Sequence, residues 1–128
     1  MVPPAAGVVM LRGLSRDVDP VSAPFAWETG PDGRRELVGP RVTQCALSRI
    51  CGACAESLGR PIAFVGDDLE VARNAFHAPP LHEACAEGLA AAEPSWRVVR
   101  TAAFEFVRPT KDDLDRRPTF QPSALIDG

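Results

Sequence analysis

The 128-residue chain has no tyrosine, a single lysine (Lys111) and only two tryptophans. No apolar run approaches the ~18 residues that a membrane-spanning helix needs. The missing span predicts a protein with no membrane partner. The formal net charge is −3, so the overall basic surplus of a non-specific nucleic-acid binder is absent, although a local arginine patch stays open. Nearly every cation is arginine. That bias, together with abundant alanine, valine and proline, reads as the mark of a GC-rich genome; the functional alternative is arginine chosen for phosphate or carboxylate contacts. Large side chains are also scarce, and much of the 45% hydrophobic content is alanine and valine. At about 25 cal/mol per Å² such side chains stabilise a core weakly. The 13 prolines and 10 glycines point to many turns and a short regular core. A small core of this kind commonly needs a staple such as a metal.

A secretory leader is also missing from the expectation. The apolar segment Ala5–Leu11 is short, has no basic region before it and is interrupted by Gly7 and followed by Arg12. The default is a soluble cytoplasmic protein, where thiols stay reduced and clustered cysteines favour metal over disulfides.

Along the chain, residues 1–23 read as a partly ordered N-terminal arm with a possible short strand at Val8–Leu11. Phe25–Thr29, the Gly30-Pro31-Asp32-Gly33 turn and Arg34–Val38 read as a β-hairpin. Pro40 opens a short helix to about Arg49, with Val42, Cys45, Ala46 and Arg49 at helical spacing. Pro61–Gly66 is the clearest strand, closed by Asp67-Asp68, which read as a turn. The return through Val71–Phe76 either pairs with it or makes a helical turn. Pro79-Pro80 then open a strong helix over Leu81–Ala92, stopped by Pro94. Trp96–Val107 reads as one bent strand or two short ones. From Pro109 the polar, proline-rich sequence predicts a flexible, extended or disordered tail. The expected domains are therefore the arm (1–23), a zinc-binding α+β domain (24–108) and the tail (109–128).

Two ligand pairs stand inside that domain. Cys51-Gly52-Ala53-Cys54 places two thiolates on one tight turn. His82-Glu83-Ala84-Cys85 places a histidine and a cysteine at a helix start, where residues three apart share a face. Zinc favours four S and N ligands in a tetrahedron, and a helix N-terminus favours a thiolate. Cys51, Cys54, His82 and Cys85 are thus expected to hold one structural Zn²⁺. Disulfides, or cysteines that are merely small buried residues, are the competing readings, and iron fits the set less well than zinc. Cys45 is left over and reads as a small core residue, the sharper alternative being a ligand role. His77 reads as a loop or surface histidine.

The order knuckle, strand with its return, then helix resembles a treble-clef zinc finger over roughly residues 48–93. The stretch Arg49–Val65, with its Cys51-x-x-Cys54 knuckle and Phe64-Val65 strand, is followed by Pro79-Pro80-Leu81-His82-Glu83-Ala84-Cys85-Ala86. Over about residues 22–95 the chain is similar to small uncharacterised zinc-binding proteins of actinobacteria and their phages. A Cys-Pro pair often follows the helix in that group; Glu93-Pro94 stands there here. The resemblance implies zinc binding through the same four residues and carries no activity with it.

Catalytic patterns are not met. An HExxH helix would need a second histidine at Ala86, and a zinc deaminase would need glutamate at Ala84. No P-loop, GxSxG or HNH-type histidine pair is present, and four ligands leave no open position. Glu83 and Glu87 read as the solvated helix face. Three function classes remain. The first is a protein-interaction or accessory module, supported by acidity and by Phe120, Leu125 and Ile126 in the tail. The second is a nucleic-acid binder using Arg34, Arg35, Arg41, Arg49, Arg60, Arg73, Arg97 and Arg100. The third is a small enzyme or an enzyme's accessory subunit.

Overall fold

The structure is a computed structural model that describes residues 22–126. Most of the expected N-terminal arm, including the Val8–Leu11 strand, lies outside the described residues.

The expected hairpin forms. β1 (Trp27–Thr29) pairs antiparallel with β2 (Arg35–Leu37), Trp27 opposite Leu37. Gly33 takes φ +80 in the connecting turn, a conformation that costs glycine nothing. α1 spans Gly39–Ser48, with Pro40 in its first turn, where a missing N–H leaves no bond unmade. It ends at Arg49, which is left-handed (φ 54) and returns its N–H to the Cys45 carbonyl. Val42 and Cys45 are its buried face.

β3 (Ile62–Gly66) is buried along its whole length, as an apolar β-branched and aromatic run predicts for a central strand. It forms the middle of a three-stranded antiparallel sheet, with β4 (Leu81–His82) on one edge and β5 (Arg97–Thr101) on the other. α2 (Asp68–Arg73) fills the connection between β3 and β4. Asp67-Asp68, expected as a turn, start this helix. The Asp67 carboxylate accepts the Glu70 N–H (2.9 Å) while Glu70 accepts the Asp67 N–H (3.2 Å), a reciprocal capping box. α3 spans Glu83–Ala92, two residues later than expected, because Leu81-His82 pair with Ala63-Ile62 before the chain coils.

The segment Trp96–Val107 divides into β5 and β6 (Phe104–Val107), with Thr101 buried at the corner, its hydroxyl donating to the Ala103 carbonyl. The expectation of an extended or disordered tail from residue 109 is corrected over 119–122. There β7 (Thr119–Pro122) pairs antiparallel with β6, and Phe76 and Phe120 exchange backbone hydrogen bonds of 2.9 and 2.7 Å. The driving force is Phe120, which is fully buried. Its ring lies 5.7 Å from Phe64, 5.7 Å from Phe104 and 5.0 Å from Phe106, and Phe76 lies 5.7 Å from Phe64. Five of the six phenylalanines thus gather in one cluster, so the few large side chains of the sequence are pooled rather than spread. The architecture is α+β with small sheets and three helices among the described residues.

Candidate metal centre

Three elements converge on the site. The chain leaves α1 through a knuckle in which Ile50 bridges Ser57, the Cys51 N–H donates to the Glu56 carbonyl (2.8 Å) and the Ala55 N–H to the Cys51 carbonyl (2.9 Å). Ala55 completes the reversal at φ 64. The knuckle is fastened on two sides. Phe25 and Ala26 donate to the Ala53 and Gly52 carbonyls, and the Gly52 N–H donates to the Pro80 carbonyl (2.8 Å). That last bond sets the knuckle beside β4 and the first turn of α3.

Cys51, Cys54, His82 and Cys85 meet there. One donor atom from each lies within 4.8 Å of the donor atoms of the other three. The separation suits four ligands around a single ion, and three sulfurs with one imidazole nitrogen are a donor set that zinc takes in tetrahedral coordination. The four residues named from the sequence are therefore brought together as one cluster able to hold one metal ion. His82 is the N-cap of α3, so its backbone is extended and only Cys85 lies within the helix.

The histidine presents a defined face. His82 Nδ1 lies 3.3 Å from Cys54 Sγ, whereas Nε2 lies 2.8 Å from the Ser57 carbonyl. A carbonyl only accepts, so Nε2 carries the proton and Nδ1 offers its lone pair to the sulfur cluster. Cys51 is fully buried, and its Sγ accepts the N–H groups of Ala53 and His82, both at 3.4 Å. Cys54 and Cys85 are half-buried.

The electrostatics favour a cation. Burial raises the Cys54 thiol, and burial followed by the neighbouring Cys51 and Cys54 sulfurs pushes Cys85 up to about 12. Three sulfurs this close resist ionising together without a positive charge between them. A bound divalent ion supplies that charge and deprotonates the thiols it binds. All four cysteines are free thiols.

Cys45 lies outside the cluster, fully buried in the core, and burial pushes its thiol to about 12. His77 is also outside it. Its Nδ1 faces the Pro118 carbonyl (3.2 Å) and its Nε2 the Asp115 carboxylate (3.2 Å). Arg117 beside Asp115 holds that carboxyl well below the usual range. The arginines considered for nucleic acid are partly engaged: Arg41 pairs with Glu28, Arg97 with Asp68, and Arg100 with Glu83 and Glu87 on α3. Arg49 lies over the Phe104 ring. A cleft of about 550 Å³, lined by Trp27, Leu69, Arg73, His77 and Trp96 among others, is separate from the four ligands. No helix among the described residues is long and apolar enough to cross a membrane.

Sequence reasoning missed Ser57, whose contribution is a backbone carbonyl and so leaves no trace in residue type. Comparison of the chain with protein-family models, with curated proteins and with solved structures finds no match.

Proposed function

We propose that this is a small protein built on one structural zinc ion, and that it works as an interaction or accessory module for another protein. The observation that carries the zinc reading is the closed donor set of three sulfurs and one imidazole nitrogen within 4.8 Å, with Cys51 wholly buried. Four protein ligands fill a tetrahedral shell and leave no coordination position for a substrate or water. In this reading the order knuckle, β3, β4, α3 is a treble-clef arrangement in which α2 is inserted between the two strands. The similarity to actinobacterial and phage zinc-binding proteins belongs to the same proposal, as does a reducing, cytoplasmic setting for the thiols.

The interaction role draws its support from the surface. Leu114, Leu125 and Ile126 are exposed, while Phe120, which the sequence offers as a third docking residue, is committed to the core. Internal carboxylate partners for Arg41, Arg97 and Arg100 weigh against nucleic acid as the alternative. Elemental analysis of the purified chain tests the metal. One zinc per chain is expected, and it is lost on replacing Cys51 or Cys85 by serine. A native mass equal to that of the metal-free chain overturns the reading.

A further inference from the structure

Residues 110–117 lie between β6 and β7 and are exposed, Leu114 completely so. Their hydrogen bonds to one another are local. The Thr110 N–H donates to Asp113, the Asp112 N–H to the Thr110 hydroxyl, and Arg117 to Asp115. His77 reaches this segment from the body of the fold. Its main chain is fixed: the preceding Phe76 exchanges two backbone bonds with Phe120, and the His77 N–H donates to the Glu70 carboxylate (3.0 Å). The ring then faces two acceptors. Nδ1 lies 3.2 Å from the Pro118 carbonyl and Nε2 3.2 Å from the Asp115 carboxylate. A carbonyl and a carboxylate only accept, whereas a neutral imidazole has one N–H and one lone pair. Either neutral tautomer therefore turns a lone pair on one of the two oxygens. Only the imidazolium donates to both.

We propose that His77 is a proton-operated clasp, and that residues 110–118 are a strap it holds against the fold while its ring is charged. Closing the strap takes up a proton. The strap is therefore held at the acid end and loosens as pH rises and the ring proton leaves. Glu70 and Arg73 of α2, Arg108 after β6, and Asp113, Asp115 and Arg117 of the strap share a cavity with His77. Arg35, Glu36 and Asp67 share the neighbouring cleft with it. Carboxylates and guanidinium groups ordinarily keep their charge between about pH 5 and 8, and imidazole does not, so the switch lies in the ring. Asp115 and Arg117 also wall the cleft of about 550 Å³ that Trp27 and Trp96 line, and release of the strap removes that wall. The His77 side chain is 19% exposed and that of Asp115 49%, so solvent screens the pair. One charge-assisted bond discounted for that screening sets the scale at about tenfold in the closed-to-open ratio.

Trypsin tests the strap, because two of its sites, after Lys111 and after Arg116, lie within it, and cleavage there follows the open fraction when opening is fast. The full chain and the free peptide 107–120 are digested side by side between about pH 6 and 8, with both cuts followed by mass spectrometry. The peptide cancels the protease's own pH dependence. The protein-to-peptide ratio of rates should rise about tenfold across that range. His77→Gln keeps the backbone bond to Glu70 and loses the charge, so its ratio should be high at both ends. Metal loss on acidification loosens the fold at low pH, the opposite sense, so sign tells the two effects apart. A wild-type ratio that stays level or falls overturns the proposal, and so does a His77→Gln ratio that still climbs. Should that variant not fold, proton NMR of the wild-type chain at about pH 6 decides. Two sheltered ring N–H protons on His77 are expected, and a single one overturns the clasp.

Discussion

A Cβ on Gly52 would lie 2.4 Å from Pro79 Cγ and 3.3 Å from Pro79 Cβ. A proline ring cannot swing away, so the backbone of the knuckle or of the Pro79-Pro80 segment would have to move. Gly52 is therefore required by close approach; among the described glycines only Gly33 takes a positive φ. Gly52→Ala is expected to cost about 1–3 kcal/mol through overpacking. Because Gly52 lies between Cys51 and Cys54 and donates to the Pro80 carbonyl, zinc affinity should fall as well. Urea unfolding of the zinc-loaded variant, with a chelator competition alongside, measures both; a variant with unchanged midpoint would remove the steric argument. At this scale the grouping of Cys51, Cys54, His82 and Cys85 into one cluster was legible because it is written in residue type and spacing. The choice of His82 Nδ1 was not, since it depends on where the Ser57 carbonyl falls.

At the scale of elements, legibility followed the strength of local patterning. The hairpin, α1 and β3 carry their turn residues, opening proline and apolar run in the sequence. α2 is six residues long and none of them is buried, so it has no apolar periodicity to read; its capping box is its only sequence mark. β7 was hidden for a different reason. Its segment follows Pro118, ends on Pro122 and is preceded by the charged run Lys111–Arg117, and a single aromatic decides its fate. Phe120 is wholly buried against Phe64, Phe104 and Phe106, so Phe120→Ala is expected to cost about 3–5 kcal/mol. That is a large part of the ~5–15 kcal/mol that holds a domain together. The milder Phe120→Leu, with an expected loss of about 1–2 kcal/mol, keeps the measurement within range of a folded protein. Denaturant midpoints for the two variants should rank in that order; wild-type stability in Phe120→Ala would return residues 119–122 to the status of a loose tail.

For the whole molecule, the cluster of Cys51, Cys54, His82 and Cys85 lies where two sets of elements meet. On one side are the hairpin and α1, tied to the knuckle through the Phe25 and Ala26 N–H groups; on the other are β4 and α3, packed against β3 and β5. The junction depends on protons. In the metal-free fold burial raises the Cys54 thiol and pushes Cys85 to about 12, so near neutrality both hold protons that an incoming ion must displace. A raised thiol pKa stabilises the metal-free fold while the thiol is protonated. That contribution is fully present below the unfolded-state pKa and is lost as pH rises through the folded one. The metal-bound form has the opposite dependence, since its ligands are already deprotonated. Apparent zinc affinity should therefore rise with pH, by up to roughly two decades per unit from the protons that Cys54 and Cys85 lose on binding. Competition against a chelator of known pH dependence between pH 7 and 8.5, with proton release followed by calorimetry in buffers of different ionisation enthalpy, measures the slope. Acidification should then release the metal, removing a clamp worth about 10–16 kcal/mol in small zinc peptides. A pH-independent affinity would mean that Cys54 and Cys85 meet the ion already ionised, against the raising effect of their burial.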